Sequence, residues 1–154
     1  MSVRAYHPPD AEQLAALYRD AVTVTGATAY DEAQCRVWAA SADDLDRFHQ
    51  ALNQGVTLVV VTEAEVAAFA QLHPGNHLSL LYTAPAYARQ GYATVLYQQL
   101  RAIATARGAT QITTMASRIA KELFLKLGFR VVSPDWVNRQ GVLMERFRME
   151  KHLG

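Results

Sequence analysis

The segment Val56–Thr62, VTLVVVT, constrains the fold of this chain more than any other. Every residue in it except Leu58 is β-branched, which stiffens χ1 and favours extended backbone. The run is almost wholly apolar rather than alternating, as in a strand covered on both faces. A strand of that kind sits inside a sheet flanked by helices, so the rest of the chain must supply them.

Helical spacing does appear on both sides of the run. Ser2–Tyr6 reads as a short first strand, stopped by Pro8 and Pro9. Asp10 is the expected cap of a helix, with Gln13 reaching back as in a capping box. Leu14, Leu17, Tyr18, Ala21 and Val22 give that helix one buried face. A second helix is expected from Asp31, carrying Cys35 and Trp38. A third opens near Ser41, with Leu45, Phe48 and Leu52 as its stripe and Gly55 as its end. After Thr62 a tight turn at Glu63-Ala64 leads into a strand at Glu65–Leu72, and His77–Thr83 completes an antiparallel meander. The period then becomes helical from Tyr92 to Arg107, closed by Gly108. A strand at Thr110–Met115, a helix at Ser117–Leu127, a strand at Phe129–Ser133 and a last strand at Val142–Met149 follow. Trp136 and the turn Asn138–Gly141 read as a loop that caps the site or meets another subunit. This is a mixed α/β, or α+β, layout, expected as one domain over residues 1–154.

Charge narrows the function. Lys and Arg number 15 against 14 Asp and Glu, a formal net charge of +1. A chain so balanced has no broad basic face, so neither nucleic acid nor an anionic membrane is an expected partner. A polyanionic small molecule needs a local device instead. Cys35 is the one cysteine, which excludes an intrachain disulfide and fits a reducing compartment. No apolar run resembles a secretory leader or approaches a membrane span, and the cytoplasm is the expected location.

The candidate device lies in Leu80–Thr94, where a strand ends, Pro85 turns the chain, and a helix opens at Gly91-Tyr92-Ala93. Free N–H groups and the dipole at a helix start attract phosphate. The small residues Gly91 and Ala93 let an anion approach the backbone, and Arg89 adds charge at the rim. The same residues also suit tight helix–strand packing, and the local pattern does not separate the two readings. The segment is neither a Walker loop nor a three-glycine dinucleotide fingerprint.

A second segment, Ser117-x-x-Ala120-x-x-x-Phe124-x-x-x-Gly128-Phe129, joins it. Together they resemble the GNAT superfamily of acyl-CoA-dependent N-acetyltransferases, whose patterns are Arg/Gln-x-x-Gly-x-Gly/Ala and Asn-x-x-Ala-x-x-x-Tyr-x-x-x-Gly-Phe. The resemblance extends over essentially the whole chain. It departs from the family at Ala88 (Arg or Gln in the pattern), Ser117 (Asn) and Phe124 (Tyr). That tyrosine is often the acid that reprotonates the leaving thiolate, and a phenylalanine donates no proton.

The resemblance implies a GNAT-like fold, a mostly antiparallel sheet splayed where the strand ending at Thr83 leaves its parallel neighbour. It implies acetyl-CoA as cosubstrate, without a metal. Backbone near Leu81, Tyr82 and Thr83 would meet the pantetheine arm as an added strand, and one N–H would polarise the thioester carbonyl. Arg89, Gln90, Gly91, Tyr92, Ala93 and Thr94 would surround the pyrophosphate, with Ser117 and Phe124 beside the cofactor. A primary amine on a small molecule or peptide would attack directly, and the protein would act as a monomer or homodimer. The alternative is a module of the same fold that binds acyl-CoA and has weak or no turnover, favoured by the three departures.

Among proton carriers, Tyr82 is the acid candidate by position, within a tyrosine cluster that includes Tyr87, Tyr92 and Tyr97. His77 is the base candidate. Its spacing from His73 imitates a metal pair, but Pro74 and Gly75 between them exclude the helix such a pair needs, and both histidines read first as exposed turn residues. Glu65 reads as a hairpin charge and Cys35 as a core thiol. Tyr30, Trp38 and the loop 23–29 either line the acceptor pocket or pack in the core. Arg118, Lys121 and Lys126 read as a solvated helix face that offers a cation to a cofactor phosphate.

Overall fold

A computed structural model describes residues 1–63 and 65–154; Ala64, part of the turn expected at Glu63-Ala64, lies outside the described residues. Four strands come first in space as they do in the chain: β1 (Ser2–Ala5), β2 (Val56–Thr62), β3 (Glu65–Leu72) and β4 (His77–Thr83). All three of their pairings are antiparallel, so the expected meander is present. β5 (Gln111–Ala116) then runs parallel to β4, and β7 (Val142–His152) lies between β5 and the edge strand β6 (Arg130–Arg139). The sheet order is therefore β1-β2-β3-β4-β5-β7-β6.

Helices cover both faces, as the apolar β2 run requires. One face carries α1 (Ala11–Asp20), α2 (Glu32–Ala39) and α3 (Leu45–Leu52), which bury Leu14, Tyr18, Trp38 and Phe48 against Val59 and Phe69. The other carries α4 (Tyr92–Ala106) and α5 (Ala120–Lys126), which bury Leu96, Leu100 and Phe124 against Val60, Ala68, Ala70 and Ile112. Each fully buried leucine or isoleucine contributes about 1.5–3 kcal/mol by leaving water. Ala67, Ala68 and Ala70 are wholly inaccessible; their small side chains let helices approach β3 closely. No helix among the described residues is long and apolar enough to cross a membrane.

Local chemistry explains most boundaries and corrects several. The reciprocal capping box sits at α2: Gln34 N donates to Asp31 Oδ1 at 2.8 Å, and Asp31 N donates to Gln34 Oε1 at 3.0 Å. Asp10 does not cap α1. Its carboxylate accepts both Arg4 guanidinium donors at 2.7 and 2.8 Å and the His7 N–H at 2.9 Å. The arginine holds that carboxyl below its ordinary range, so the ion pair ties β1 to the start of α1. α3 begins at Leu45, not near Ser41, because Asp44 is the residue whose side chain accepts from Arg47 N. Gly55 has φ +61, and a Cβ there would lie 2.3 Å from Leu72 O, so only glycine fits this turn. The last helix is shorter than expected, opening at Ala120, whose N–H donates to Ser117 Oγ at 3.1 Å.

The largest correction concerns residues 134–139. They are not a loop: β6 continues to Arg139, and a two-residue turn at Gln140-Gly141, both with positive φ, returns the chain as β7. The turn belongs to the tight hairpin type that two left-handed residues specify. Asn138 Oδ1 accepts the Gly141 N–H at 2.8 Å.

Candidate active site

The parallel pair β4–β5 is held together only at its start. His77 faces Thr113 and Leu78 faces Thr114, and no register continues beyond them. The end of β4 thus leaves β5 while β5 stays paired with β7 through Ala116, which is the splay expected from the resemblance. A β-bulge accompanies it, since Gln71 pairs with Leu80 and Leu72 with Leu78, leaving Ser79 extra.

The phase of the ladder decides which backbone groups face the opening. Ala84 N–H donates to Ala67 O at 2.9 Å, so Ala84 and Tyr82 direct their backbone groups to β3. By the alternation of antiparallel pairing, Leu81 and Thr83 direct theirs to the opposite, unpaired edge. The expectation that Tyr82 offers its backbone to an added strand is therefore corrected: its N–H and C=O are turned to β3, and its side chain is what enters the site.

A cavity of about 1110 Å³ begins at this edge. At one end it is bounded by Arg89, Gly91, Tyr92, Ala93 and Thr94, the start of α4. Val95 N–H is the first to close an α-helical bond, onto Gly91 O at 3.1 Å, so the preceding N–H groups have no helical acceptor. Gly91 has φ +83, and an added Cβ would meet no protein atom within 4 Å. The left-handed conformation favours glycine here, and helix–strand packing does not account for it at Gly91. Arg89 also takes a left-handed conformation, at φ 63. Gln90 is exposed and does not border the cavity. Ser117 and Phe124 border its α5 side; Phe124 is 2% exposed, with its ring 4.9 Å from that of Phe129.

The other end is aromatic. Tyr82 projects among Tyr18, Trp38 and Phe69, its ring 4.7 Å from that of Tyr18, and Trp38 Nε1 donates to its hydroxyl at 3.3 Å. Burial raises the Tyr82 phenol well above its ordinary value of 10.0, the nearby Tyr18 adds to this, and Trp38 and Arg139 oppose it. Tyr82 accordingly holds its proton at neutral pH. Tyr30 borders the cavity with its ring, but its hydroxyl is committed, donating to Glu145 O at 2.6 Å and accepting Arg118 N–H at 2.9 Å.

Several candidates are placed differently from expectation. His77 is half-buried rather than an exposed turn residue, with Nδ1 2.8 Å from Thr113 Oγ1. Burial, followed by Arg148 and Arg146, lowers its pKa from 6.5, so it is neutral at pH 7. Tyr87 borders the cavity with its ring 6.2 Å from that of Tyr92, but its hydroxyl donates to Glu65 Oε2 at 2.6 Å, and Tyr97 is buried on the inner face of α4. Arg118 is no part of a solvated helix face; it spans to Glu145 Oε1 at 3.1 Å and Ala29 O at 3.0 Å. Among the described residues no group of three or more His, Cys, Asp or Glu is arranged to hold a metal.

One site residue is missed by sequence reasoning. Arg139, at the end of β6, borders the aromatic end of the cavity and donates from Nη1 to Ser41 Oγ at 3.2 Å. The signal for it was the tight-turn pair Gln140-Gly141, which extends β6 and brings its last residue over the cavity.

Comparison with known proteins agrees with this architecture. The family described as acetyltransferase (GNAT) domain matches residues 26–152. The uncharacterized N-acetyltransferase YafP of Escherichia coli (strain K12) is 28% identical over 149 residues, spanning 97% of this chain and 94% of that protein. A GCN5-related N-acetyltransferase structure from Rhodopseudomonas palustris superposes with a TM-score of 0.96 at 32% identity, covering 99% of this chain and 95% of that one. The PaiA N-acetyltransferase of Thermoplasma acidophilum, solved in complex with coenzyme A, shares the fold at a TM-score of 0.77 and 19% identity, with 99% of both chains covered. A splayed parallel pair opening onto a glycine-initiated helix, in a chain with these relatives, makes this protein a member of the GNAT family of acetyl-CoA-dependent acyltransferases.

Proposed function

We propose that this acyltransferase moves an acetyl group from acetyl-CoA to a primary amine on a small molecule or peptide, by direct attack of the amine. The observation that carries the reading is the continuity of one cavity, from the start of α4, along the open edge of β4, to the aromatic cluster around Tyr82. Acetyl-CoA brings an acyl group already activated as a thioester, so no serine or cysteine nucleophile is needed.

The chain's own groups suit this chemistry. The unbonded N–H groups at Tyr92, Ala93 and Thr94 offer a cradle for a pyrophosphate, with Gly91 leaving room and Arg89 adding charge. Leu81 and Thr83 offer backbone donors and acceptors to an extended amide-bearing arm and to a thioester carbonyl. Tyr82 is the proposed acid for the thiolate, because its buried phenol is protonated at neutral pH. His77 is the proposed base, in the tautomer that donates from Nδ1 to Thr113 Oγ1 and so leaves Nε2 to accept a proton. Tyr30 and Trp38 are proposed to contribute the walls against which the acceptor lies.

One observation favours a second reading, a module that binds acyl-CoA without turnover. Where the family pattern has a phenol, Phe124 puts an apolar ring that is 2% exposed. Calorimetric binding of coenzyme A, followed by thiol release from acetyl-CoA over a set of primary amines, decides between the two. Binding with thiol release supports the transferase. Tight binding with no thiol released from any amine supports the module.

A further inference from the structure

Arg139 is a cation without a counter-charge at the acceptor end of the cavity. Arg146, which borders the same cavity, is paired with Asp135 at 2.8 Å, and Arg118 is paired with the bordering Glu145 at 3.1 Å; Arg47, which also borders the cavity, has no ion pair among the described residues. Asp44, which also borders the cavity, has its carboxylate on the Arg47 N–H at 3.1 Å. Among the described residues no carboxylate lies within ion-pair distance of Arg139. Its hydrogen bond is the 3.2 Å contact from Nη1 to the Ser41 hydroxyl, and its Nε is buried without a partner. A buried guanidinium donor left unsatisfied is destabilising, because desolvation is not offset. Nε is covered by protein, so the two-donor edge available to a carboxylate from the cavity is that of Nη1 and Nη2.

From this geometry we infer that Arg139 is the specificity determinant of the acceptor site, and that the acceptor is a small amino carboxylate, with amine and carboxylate in one molecule. The inference rests on the transferase reading of the cavity and adds the substrate class. Two further features fit it. The charge of Arg139 acts on Tyr18, Tyr30 and Tyr82 together, so a carboxylate on the guanidinium leaves the rest of a small molecule among those rings, beside the open edge of β4. The same positive charge repels an ammonium that brings no anion of its own, so a polyamine is disfavoured at this end.

The test compares free α-amino acids with their carboxamides, with a diamine as control. Binding is measured by calorimetry on the protein saturated with coenzyme A, and thiol release is measured with acetyl-CoA. The wild-type protein is expected to bind at least one amino acid roughly tenfold or more tightly than its carboxamide. Arg139→Gln is expected to lose that preference, with KM raised more than kcat. Ser41→Ala removes the hydroxyl that holds the guanidinium and is expected to keep the preference. A purely structural latch predicts the reverse pattern, with both variants losing stability alike and the carboxylate preference unmoved. Coenzyme A affinity reports whether Arg139→Gln is folded; if it is not, Arg139→Lys, which keeps the charge and loses the two-donor edge, is expected to show a reduced preference. Equal binding of amino acids and carboxamides, or preference for the diamine, overturns the inference and leaves the transferase reading standing. Thiol release from no amine, with a carboxylate preference in binding that Arg139→Gln removes, supports the carboxylate site and instead sinks the transferase reading.

Discussion

The two ends of the cavity, proposed for the cofactor and for the acceptor, are built from different materials. Between Ala88 and Thr94 the protein offers backbone: N–H groups at the start of α4, positive φ at Arg89 and Gly91, and side chains that mostly stay out of the way. Around Tyr82 it offers side chains from α1, α2, β4 and β6, held by aromatic packing and by single hydrogen bonds such as Trp38 to Tyr82 and Arg139 to Ser41. A backbone cradle tolerates changes of residue type provided the dihedral angles survive. A side-chain pocket is rewritten by one substitution. Under the proposed function, that contrast accounts for Ala88 in place of the family's Arg or Gln, and it is why the acceptor is read from groups such as Arg139.

The comparison breaks most easily at Gly91. Gly91→Glu combines a strained left-handed conformation with negative charge at a helix N-terminus. Coenzyme A affinity should fall by more than about 100-fold in calorimetry. Unchanged affinity in a folded variant would remove the cradle. Tyr82→Phe probes the opposite end: kcat should fall by about 100-fold while coenzyme A affinity stays constant. An unaltered rate would pass the acid role to another tyrosine or to water.

Gly91→Ala sharpens the first result, because an added Cβ meets no protein atom. Only backbone strain remains, and coenzyme A binding should weaken by about tenfold. His77→Gln should alter stability with pH in one direction. The folded-state pKa of His77 lies below its ordinary 6.5, so the unfolded chain takes up the proton more readily. Its contribution is complete above that value and is lost as pH falls through it toward the folded pKa. Denaturation midpoints of the variant should therefore decline less steeply on acidification below about pH 6.5; parallel curves would refute this. The smallest effect is expected at Ser117. Ser117→Ala removes the acceptor for Ala120 N–H, lowering stability by about 1 kcal/mol with coenzyme A affinity changed less than about threefold. A larger loss of affinity would place Ser117 among the groups that hold the cofactor.

Elements were legible where a short stretch of chain carries its own reason. The apolar, β-branched Val56–Thr62 run, the meander that follows it, and the helix opening after Gly91 all appear where their periodicity and turn residues put them. Asp31 is the cap its position suggests. Asp10 had the same local pattern, yet a nearby arginine on β1 competes for its carboxylate and wins, since a charge-assisted pair is stronger than a cap bond. Residues 134–139 were misread because Pro134 and the polar Asn138-Arg139-Gln140 look like loop; Pro134 is admitted because β6 is an edge strand.

By itself the sequence determined the layered α/β arrangement, the family, and the helix that opens after Gly91, because each depends on neighbours within a few residues or on the count of apolar positions. Only the tertiary structure decided that Tyr82 turns its backbone to β3 and its phenol to the site, that Arg118 is spent on Glu145, and that Arg139 is left without a counter-charge. Those facts depend on the phase of the ladder and on which ion pairs form between strands and helices distant in the chain. A side chain's partner is fixed by that packing, and no local pattern contains it.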